Sequence, residues 1–474
     1  MIIIILHLKT NYKSFSKNTM ETKSYIIGVD FGTTSLSVVL VKTDDWQIER
    51  VINRETNAYI ESSNTLVKEQ SIKILVDSFN SVMEEINSLP NIHIAAYGFT
   101  GQMHGIVGLD KNNNAVTNLV TWEDRSGETV MDNATKMIDT IKTLAGDDTI
   151  SCGYGIVTLY KWLVVEKRTD ISSFCTIADY FVGLITHKIA MSPSMAHSIG
   201  LFDISTNTWN RRSIEKLGLD YQLFPLVVSE SSLLGYAGDV PVFSAIGDNQ
   251  ASFMGAVSGT KKSMVLNVGT GTQISVLLEK GEVNKYNGYI DGVATQLRPY
   301  DNDYYLMATS FINGGATYRS LFNFMKEIAV SLFNLENIDE NQLWSNMEKS
   351  AGFSIEEGDP LKVLPLLSYE RNDFGKNGEI TNITSENFHP GNLIAGFLKG
   401  LSENYKSALN PNILEKTDFI YGGGNGLKKN KVFVQILEQT FGKPIYLTSY
   451  DEEAAVGAAM NAAKAIQIEQ IQKI

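Results

Sequence analysis

The segment Ile27-Gly-Val-Asp-Phe-Gly-Thr-Thr-Ser-Leu-Ser-Val-Val-Leu40 recurs in altered form as Leu266-Asn-Val-Gly-Thr-Gly-Thr-Gln-Ile-Ser-Val-Leu-Leu278. Aligning Asp30 with Asn267 aligns the following Gly-Thr pairs, and one inserted residue then brings Ser-Val-Val-Leu onto Ser-Val-Leu-Leu. The two copies lie half a chain length apart, as a duplicated-domain architecture would place them. Each copy is apolar, then small and polar around glycine, then apolar again, a pattern that is typical of a β-hairpin.

The rest of the chain alternates helical and strand patterns. A helix pattern spans 68–89 and a strand pattern spans 94–100, which indicates an α/β protein. Because 474 residues exceed what one ordinary core accommodates, we expect two domains, 24–246 and 247–474, with the crossing within 247–256. The apolar start of the chain lacks the basic region and cleavage site of a signal peptide, so residues 1–23 are expected to be a disordered extension.

Composition excludes several classes of function. The net charge is −13, from 40 basic and 53 acidic residues, which argues against nucleic acid as a partner. The apolar start is too short for a membrane span. Cys152 and Cys175 are the only cysteines, which favours a reducing cytoplasm over a disulfide framework, and the six histidines show no zinc-binding spacing.

The two hairpin turns suit phosphate chemistry. A turn of glycine and threonine exposes backbone N–H groups and hydroxyls, and glycine lets the backbone approach an anion closely. Asp30 precedes the first turn, where a carboxylate would repel phosphate unless a cation such as Mg²⁺ came between them. No P-loop motif occurs in the chain. The predicted phosphate-binding residues are Gly32, Thr33, Thr34, Gly269, Thr270, Gly271 and Thr272.

A third glycine run, 422–425, follows an apolar strand pattern at 418–421 and precedes a helix pattern at 432–441. One interpretation makes it a backbone shelf for adenine and ribose, formed by Gly423, Gly424 and Asn425. The alternative is a helix-start loop in which Asn425 is the capping residue. The small-residue stretch 452–460 is predicted to be a helix that packs tightly on its neighbour.

Three further clusters could form a sugar site. Gln102, Met103 and His104 follow the strand pattern at 94–100, at the end where α/β sheets bind ligands, although His104 could equally be a structural histidine. Trp122 and Asp124 combine a stacking ring with hydrogen-bonding groups, although a surface turn with an ion pair has the same composition.

The third of these clusters is Gly247-Asp-Asn-Gln-Ala251, which ends a strand pattern at 243–246. Asp248 could take the proton of an attacking hydroxyl, and Asn249 could contact the sugar. The alternative interpretation of Asp248 is an N-cap for the helix that follows.

Six motifs together resemble the FGGY carbohydrate kinases: G-x-D-x-G-T-T at 28–34, G-Q-M-H-G at 101–105, W-x-D at 122–124, G-D-x-Q-A at 247–251, the second hairpin at 267–273 and the glycine run at 422–425. Within that family the runs at 119–122, 247–252 and 266–273 resemble most the sedoheptulose kinases, and the xylulose kinases, which share G-Q-M-H-G, are the nearest competitor.

The resemblance implies two ribonuclease-H-like domains of the actin and sugar kinase superfamily around a central cleft. It implies ATP and Mg²⁺ as cofactors, a ketose as substrate and sedoheptulose 7-phosphate as product. Asp248 would be the catalytic base, Asp30 would hold the metal, and the sugar pocket would be lined by Gln102, Met103, His104, Trp122, Asp124 and Asn249. A homodimer and a monomer are both open.

Two positions depart from the family pattern. Ser37 stands where many relatives carry Lys or Arg, and Arg125 follows Asp124 directly where many have an intervening glycine. A non-catalytic sugar-binding protein and an actin-like ATPase remain alternatives. The G-Q-M-H-G and tryptophan motifs weigh against the ATPase, and the intact Asp30 and Asp248 weigh against the binding protein.

Overall fold

The computed structural model describes residues 23–131, 134–257, 261–286, 295–357, 361–368, 376–448 and 450–472. The expected N-terminal extension lies outside these ranges except for Lys23, which already begins the first strand. The chain divides into two compact units. Unit 1 is drawn from Met1–Gly255, Pro299–Asp301 and Glu452–Ile474, and unit 2 from Ala256–Arg298 and Asn302–Asp451.

Unit 1 is built on a seven-stranded mixed sheet, flanked by helices and small two- or three-stranded sheets. Its strands are β1 (Lys23–Phe31), β2 (Ser35–Lys42), β3 (Ile48–Glu55), β4 (Tyr59–Ile60), β5 (Glu69–Gln70), β6 (Ile92–Gly101), β7 (Val107–Leu109), β8 (Leu119–Val120), β9 (Ser173–Cys175), β10 (Ala190–Met191), β11 (Phe202–Asp203), β12 (Thr208–Trp209), β13 (Leu226–Val227), β14 (Leu233–Ala237), β15 (Val240–Phe243) and β16 (Ile246–Gly247). Its helices are α1 (Ile72–Asn87), α2 (Met137–Ala145), α3 (Gly155–Tyr160), α4 (Ile177–Thr186), α5 (Pro193–Ile199), α6 (Arg211–Lys216), α7 (Asp248–Ala256) and the C-terminal helix, which is α14 (Glu453–Gln472).

Unit 2 is built on a six-stranded sheet with helices packed against it. Its strands are β17 (Ser263–Val268), β18 (Thr272–Glu279), β19 (Thr295–Pro299), β20 (Tyr304–Phe311), β21 (Lys362–Leu364), β22 (Glu379–Thr381), β23 (Phe419–Gly423) and β24 (Ile445–Leu447). Its helices are α8 (Gly315–Phe333), α9 (Glu340–Glu357), α10 (Pro390–Ser407), α11 (Pro411–Lys416), α12 (Asn425–Lys428) and α13 (Lys431–Phe441).

The two central sheets have corresponding strand orders. In unit 1 the order is β14-β15-β6-β1-β2-β3. Written in the matching direction, the order in unit 2 is β24-β23-β17-β18-β20-β19, so that β6-β1-β2-β3 corresponds to β23-β17-β18-β20. In each, a three-strand antiparallel meander, β1-β2-β3 or β17-β18-β20, continues into parallel strands on the other side of its first strand. This arrangement is that of the ribonuclease-H-like fold, and it confirms both hairpins of the sequence repeat.

The helix patterns reflect burial on one face. In α1 the residues at helical spacing, among them Leu75, Phe79 and Val82, are buried in the unit 1 core, and Ser71 caps the start by accepting the N–H of Ile74. The unit 2 core is a separate cluster around strands β17 and β18 and helix α10. Each unit therefore has its own hydrophobic core.

The observed units differ from the expected domains because α7 and α14 belong largely to unit 1. Helix α14 packs against β1 and β6 at glycines: a Cβ added at Gly28 would lie 1.9 Å from Ala455 O, and one at Gly98 would lie 1.9 Å from Ala458 O. The same helix meets α7, since a Cβ at Gly457 would lie 1.8 Å from Ala251 O. The tight packing expected of the small-residue helix is confirmed, and it joins the end of the chain to the first unit.

Candidate active site

Three parallel strands of unit 1 end side by side. Strand β6 pairs with β1 on one side and with β16 on the other, and the registers place the last residues of the strands in one row, Phe31, Gly101 and Gly247. The residues that follow them are Gly32, Gln102 and Asp248. Because ligands bind at the carboxyl edge of parallel strands, this row brings three of the predicted motifs to one edge.

Asp30 lies one residue before this edge. It is half-buried, and its Oδ1 is inaccessible and has no hydrogen-bond partner among the described residues. Burial, together with the negative charges of Asp248 and Glu452, raises the pKa of Asp30 to about 8. An oxygen ligand in such a negative environment fits Mg²⁺, which proteins commonly bind through one or two carboxylates and substrate phosphates.

The turn of the first hairpin is bonded directly to Trp122 and, through Gln70, to Gln102. The Trp122 indole Nε1 donates to the hydroxyl of Thr33 at 3.0 Å, and the Gln70 amide donates to Thr33 O at 2.5 Å. Gln70 Oε1 accepts in turn from Gln102 Nε2 at 2.9 Å. Gln102 Oε1 is inaccessible and has no partner among the described residues.

His104 is held in a strained position. Its φ is 72°, in the left-handed region that is uncommon for residues other than glycine. The ring stacks on Tyr154 with centroids 4.5 Å apart, and its Nδ1 lies 2.7 Å from Ser198 O. Because a carbonyl oxygen only accepts, that contact assigns the proton of the neutral ring to Nδ1. The neighbouring Met103 is buried against Gly247.

Asp124 is buried, and both of its carboxylate oxygens accept backbone N–H groups, from Lys68 at 3.0 Å and from Ser126 at 2.8 Å. It therefore fixes the loop that carries Trp122. The ion pair considered as an alternative for this segment is also present, between Arg125 and Glu128.

Asp248 is the first residue of α7 and directly follows Gly247, the last residue of β16. The side-chain Oδ1 of the next residue, Asn249, is inaccessible and without a partner in the described part of the chain. Gln250 is fixed by a bond from its Nε2 to Pro299 O at 2.8 Å. Asp248 and Asn249 thus open a helix whose third residue is tied to the unit 1 framework.

In unit 2 the second hairpin turn lies against the start of α8. Gly315 N donates to Gly269 O at 3.0 Å, and Ala316 N donates to Thr270 O at 2.9 Å. A Cβ on Gly314 would lie 2.7 Å from the Gly271 carbonyl carbon, so only glycine fits there. Gly314 and Gly315 were not predicted from the sequence as site residues, although two consecutive glycines after a strand pattern are a recognisable signal.

The glycine run 422–425 lies beside the same turn. Strand β23 is parallel to β17, with Gly423 opposite Asn267. Gly424 has φ 81°, and a Cβ there would lie 2.4 Å from Val268 O. Asn425 begins α12 and does not cap it with its side chain, so the alternative capping role of Asn425 is not observed. Gly423, Gly424 and Asn425 therefore lie at the carboxyl edge of the unit 2 sheet, next to the turn 269–271.

Several residues that support the site were missed by the sequence analysis. They are Gln70, Thr100, Ser192, Ser194, Ser198, Glu230 and Glu452, which bond to motif residues or lie near them. No local pattern marks these residues, because they contact the motifs only after folding.

Within the described ranges no helix has the length and apolar character needed to cross a membrane. Among those same residues, no group of three or more His, Cys, Asp or Glu side chains is placed to hold a metal ion.

Comparison with known proteins identifies relatives over most of the chain. Residues 25–255 match the N-terminal domain of the FGGY family of carbohydrate kinases. The chain is 24% identical to sedoheptulokinase of Mus musculus over 93% of this chain and 98% of that protein. It is 21% identical to xylulose kinase of Staphylococcus xylosus over 93% and 90% of the two chains.

A solved structure shows the same fold. The crystal structure of xylulose kinase from Rhodospirillum rubrum superposes with a TM-score of 0.75 at 18% identity, covering 94% of this chain and 90% of the other. Residues 25–255 therefore belong to the FGGY family of carbohydrate kinases, and the chain is similar to members of that family over most of its length.

Proposed function

We propose that this carbohydrate kinase transfers the γ-phosphoryl group of ATP to the terminal hydroxyl of sedoheptulose, giving sedoheptulose 7-phosphate, with Asp248 as the general base. The observation that carries the proposal is the row of three strand ends at the carboxyl edge of the unit 1 sheet. Gly32, Gln102 and Asp248 each follow one of these strand ends directly. The choice of sugar is supported by the similarity to the mouse and human sedoheptulokinases, each over 93% of this chain.

The sugar would be bound by buried and exposed polar groups that follow the strand ends of unit 1. Gln102 and Asn249 each present a buried oxygen without a partner among the described residues, suited to sugar hydroxyls. The Trp122 side chain is 47% exposed and offers a face to the apolar side of a sugar. We assign His104 and Met103 to the same pocket, and we include Asp124 because it fixes the loop of Trp122.

The nucleotide would be bound by backbone groups of both hairpin turns and of the glycine run. In unit 1 we assign Gly32, Thr33 and Thr34 to the phosphates, and in unit 2 Gly269–Thr272 to the phosphates and Gly423–Asn425 to the adenosine. Asp30 would hold Mg²⁺, and the ion would supply positive charge against the phosphate oxygens. In the chemical step the Asp248 carboxylate aligns the sugar hydroxyl and takes its proton as the bond from the sugar oxygen to the γ-phosphorus forms and the bond from that phosphorus to the β–γ bridging oxygen breaks, which releases ADP.

The test is ADP release by the wild type with sedoheptulose, xylulose, ribulose, fructose and glycerol, followed by the same assay on Asp248→Asn. The variant keeps the shape of the side chain but cannot accept the proton, so kcat should fall by about 10²–10⁴-fold with little change in the KM for sugar. Asp239→Asn, at an exposed turn before β15, is the matched control and should behave as wild type.

Each result has a separate meaning. Normal turnover by Asp248→Asn would refute the general-base assignment. A strong preference for xylulose would keep the mechanism and replace the sugar, and the resemblance to xylulose kinase of Staphylococcus xylosus makes xylulose the second candidate. Mass spectrometry of the product, with NMR of the phosphorus-bearing carbon, places the phosphate on the sugar.

A further inference from the structure

Three buried hydroxyl side chains hold the backbone that leads into Asp248. Ser192 Oγ donates to Ala245 O at 2.6 Å, and Thr100 Oγ1 donates to Ile246 O at 2.7 Å. Ser194 Oγ accepts the N–H of Gly247 at 3.0 Å. Each of the three hydroxyl side chains is 0% exposed. The path of the chain immediately before Asp248 is therefore set by side chains outside its own motif.

Ser194 is in turn bonded to a buried carboxylate. Its backbone N–H donates to Glu230 Oε1 at 2.8 Å. The other oxygen of Glu230 is inaccessible and lacks a partner among the described residues. Burial raises the pKa of Glu230 to about 7, while the Ser194 backbone and the hydroxyls of Ser194 and Ser192 act in the opposite direction. A carboxylate is costly to bury unless its oxygens are hydrogen-bonded, and Glu230 accepts such a bond from the start of α5.

The helix that carries Ser194 also holds the sugar motif. On α5, Ser198 Oγ accepts the backbone N–H of His104 at 3.1 Å, and Ser198 O accepts from His104 Nδ1 at 2.7 Å. One short helix is therefore bonded to Gly247, next to the proposed base, and to His104 in the proposed sugar pocket. A shift of α5 would therefore move Gly247 and His104 relative to each other.

We propose that Ser194 and Glu230 are positioning residues for phosphoryl transfer: Glu230 fixes the start of α5, and Ser194 fixes Gly247 and with it the carboxylate of Asp248. The inference rests on the proposed role of Asp248 as general base. Misplacement of a catalytic group by about 1 Å can cost about 10²-fold in rate, so loss of these bonds should reduce kcat more than KM.

The first experiment compares Ser194→Ala with Ser213→Ala. Ser213 is also buried, and its hydroxyl donates to Ala145 O at 2.9 Å, at the end of α2 rather than at α5 or Gly247. We expect Ser194→Ala to lower kcat by about 10–100-fold with the KM for ATP unchanged, and Ser213→Ala to keep wild-type kcat. Equal turnover of the two variants would overturn the proposal.

The second experiment places Ser194→Ala in the Asp248→Asn background. If Ser194 acts through Asp248, the double variant should be no slower than Asp248→Asn alone, whereas a full additional loss would refute that route. Normal turnover by Asp248→Asn would overturn both the proposed base and this inference, while a slow Asp248→Asn with an unaffected Ser194→Ala would overturn the inference alone.

A third comparison keeps the proposal testable if Ser194→Ala does not fold. Glu230→Gln retains an oxygen that can accept the Ser194 N–H, and Glu230→Leu has a similar volume without an acceptor. We expect Glu230→Gln to keep kcat within about twofold of wild type and Glu230→Leu to lose about 10-fold or more. A loss in Glu230→Gln as large as in Glu230→Leu would show that the acceptor is not what matters.

Discussion

Trp122 donates its indole N–H to the hydroxyl of Thr33 across 3.0 Å, which joins the tryptophan segment to the turn of the first hairpin. Trp122 is still 47% exposed, so the N–H edge of the ring is held while much of the residue stays accessible. In the proposed function Trp122 contacts the sugar and Thr33 contacts phosphate. This bond would therefore hold the two binding surfaces of unit 1 at a constant separation.

The first prediction removes this bond and keeps the aromatic ring. Trp122→Phe should raise the KM for sugar about 3–10-fold, because a freed ring must be ordered when the sugar binds and about 1 kcal/mol of hydrogen bonding is lost. The measurement is steady-state ADP release with varied sugar at saturating ATP.

Trp209→Phe serves as the control for this substitution. Trp209 is buried in the unit 1 core, and its indole N–H donates to Pro225 O at 2.9 Å. Trp209→Phe therefore removes the same atoms and one hydrogen bond, as Trp122→Phe does, but outside the proposed sugar site. Its KM for sugar should stay at the wild-type value. An unchanged KM in Trp122→Phe would contradict a role for Trp122 in sugar binding.

The second prediction concerns pH and Asp30. An unfolded aspartate ionises near pH 4, whereas the pKa of Asp30 is raised to about 8 by burial and by the charges of Asp248 and Glu452. Between these pH values the native state binds more protons than the unfolded state, so this group makes the free energy of unfolding fall as pH rises. Asp30→Asn cannot ionise, and its stability advantage over wild type should grow from pH 5 to pH 8, by at most about 1.4 kcal/mol per pH unit.

Thermal unfolding in buffers with EDTA measures this difference. Above about pH 8 the advantage of Asp30→Asn should stop growing. Adding MgATP should stabilise the wild type more than the variant if Asp30 holds the ion. A stability difference that does not vary between pH 5 and pH 8 would show that Asp30 ionises normally in the folded protein.

The sequence was informative where local chemistry determines the structure. The turns at Gly32 and Gly269 require small residues between apolar strands, so the two hairpins could be predicted from the pattern alone. The same reasoning located the strand ends before Gln102 and Asp248, because glycine follows the apolar run in both motifs. These positions depend on neighbours in sequence.

Other features depend on partners far along the chain. Helix α14 was expected in the second domain, but its alanines pack against Gly28 and Gly98 of unit 1, which a helical pattern cannot specify. Ser194 and Glu230 have no motif of their own, because their roles arise from contacts with Gly247 and with each other. Long-range contacts of this kind are absent from single-sequence patterns.

The third prediction tests how α14 packs on the sheet. Gly98→Ala places a Cβ 1.9 Å from Ala458 O, a backbone atom that cannot move without shifting the helix. We expect a loss of about 1–3 kcal/mol in the free energy of unfolding of unit 1, measured by denaturant titration. Gly281→Ala is the control, since a Cβ there meets nothing within 4 Å, and it should change stability by less than about 0.5 kcal/mol.

The last prediction concerns the second hairpin and the residue beneath it. Thr272, at the end of the turn, donates its hydroxyl to Tyr405 Oη at 2.8 Å, and Tyr405 donates to Asn313 O at 3.2 Å, just before the start of α8. Tyr405 is 0% exposed. The Tyr405 hydroxyl thus connects the turn to the loop that enters α8. We assign the turn to the phosphates, and the start of α8 lies against the turn.

Tyr405→Phe keeps the ring in the core but removes the hydroxyl, which leaves the buried Thr272 side chain without the acceptor it uses in the wild type. This should cost about 1–3 kcal/mol of stability and loosen the turn. If the turn binds ATP, its KM for ATP should rise about 3–10-fold, equivalent to roughly 1 kcal/mol, while the KM for sugar stays constant because the proposed sugar residues lie in unit 1. Tyr304→Phe, a partly exposed tyrosine on β20 of the same unit, should leave both constants unchanged. A rise confined to the KM for sugar would contradict the assignment of the second hairpin to ATP.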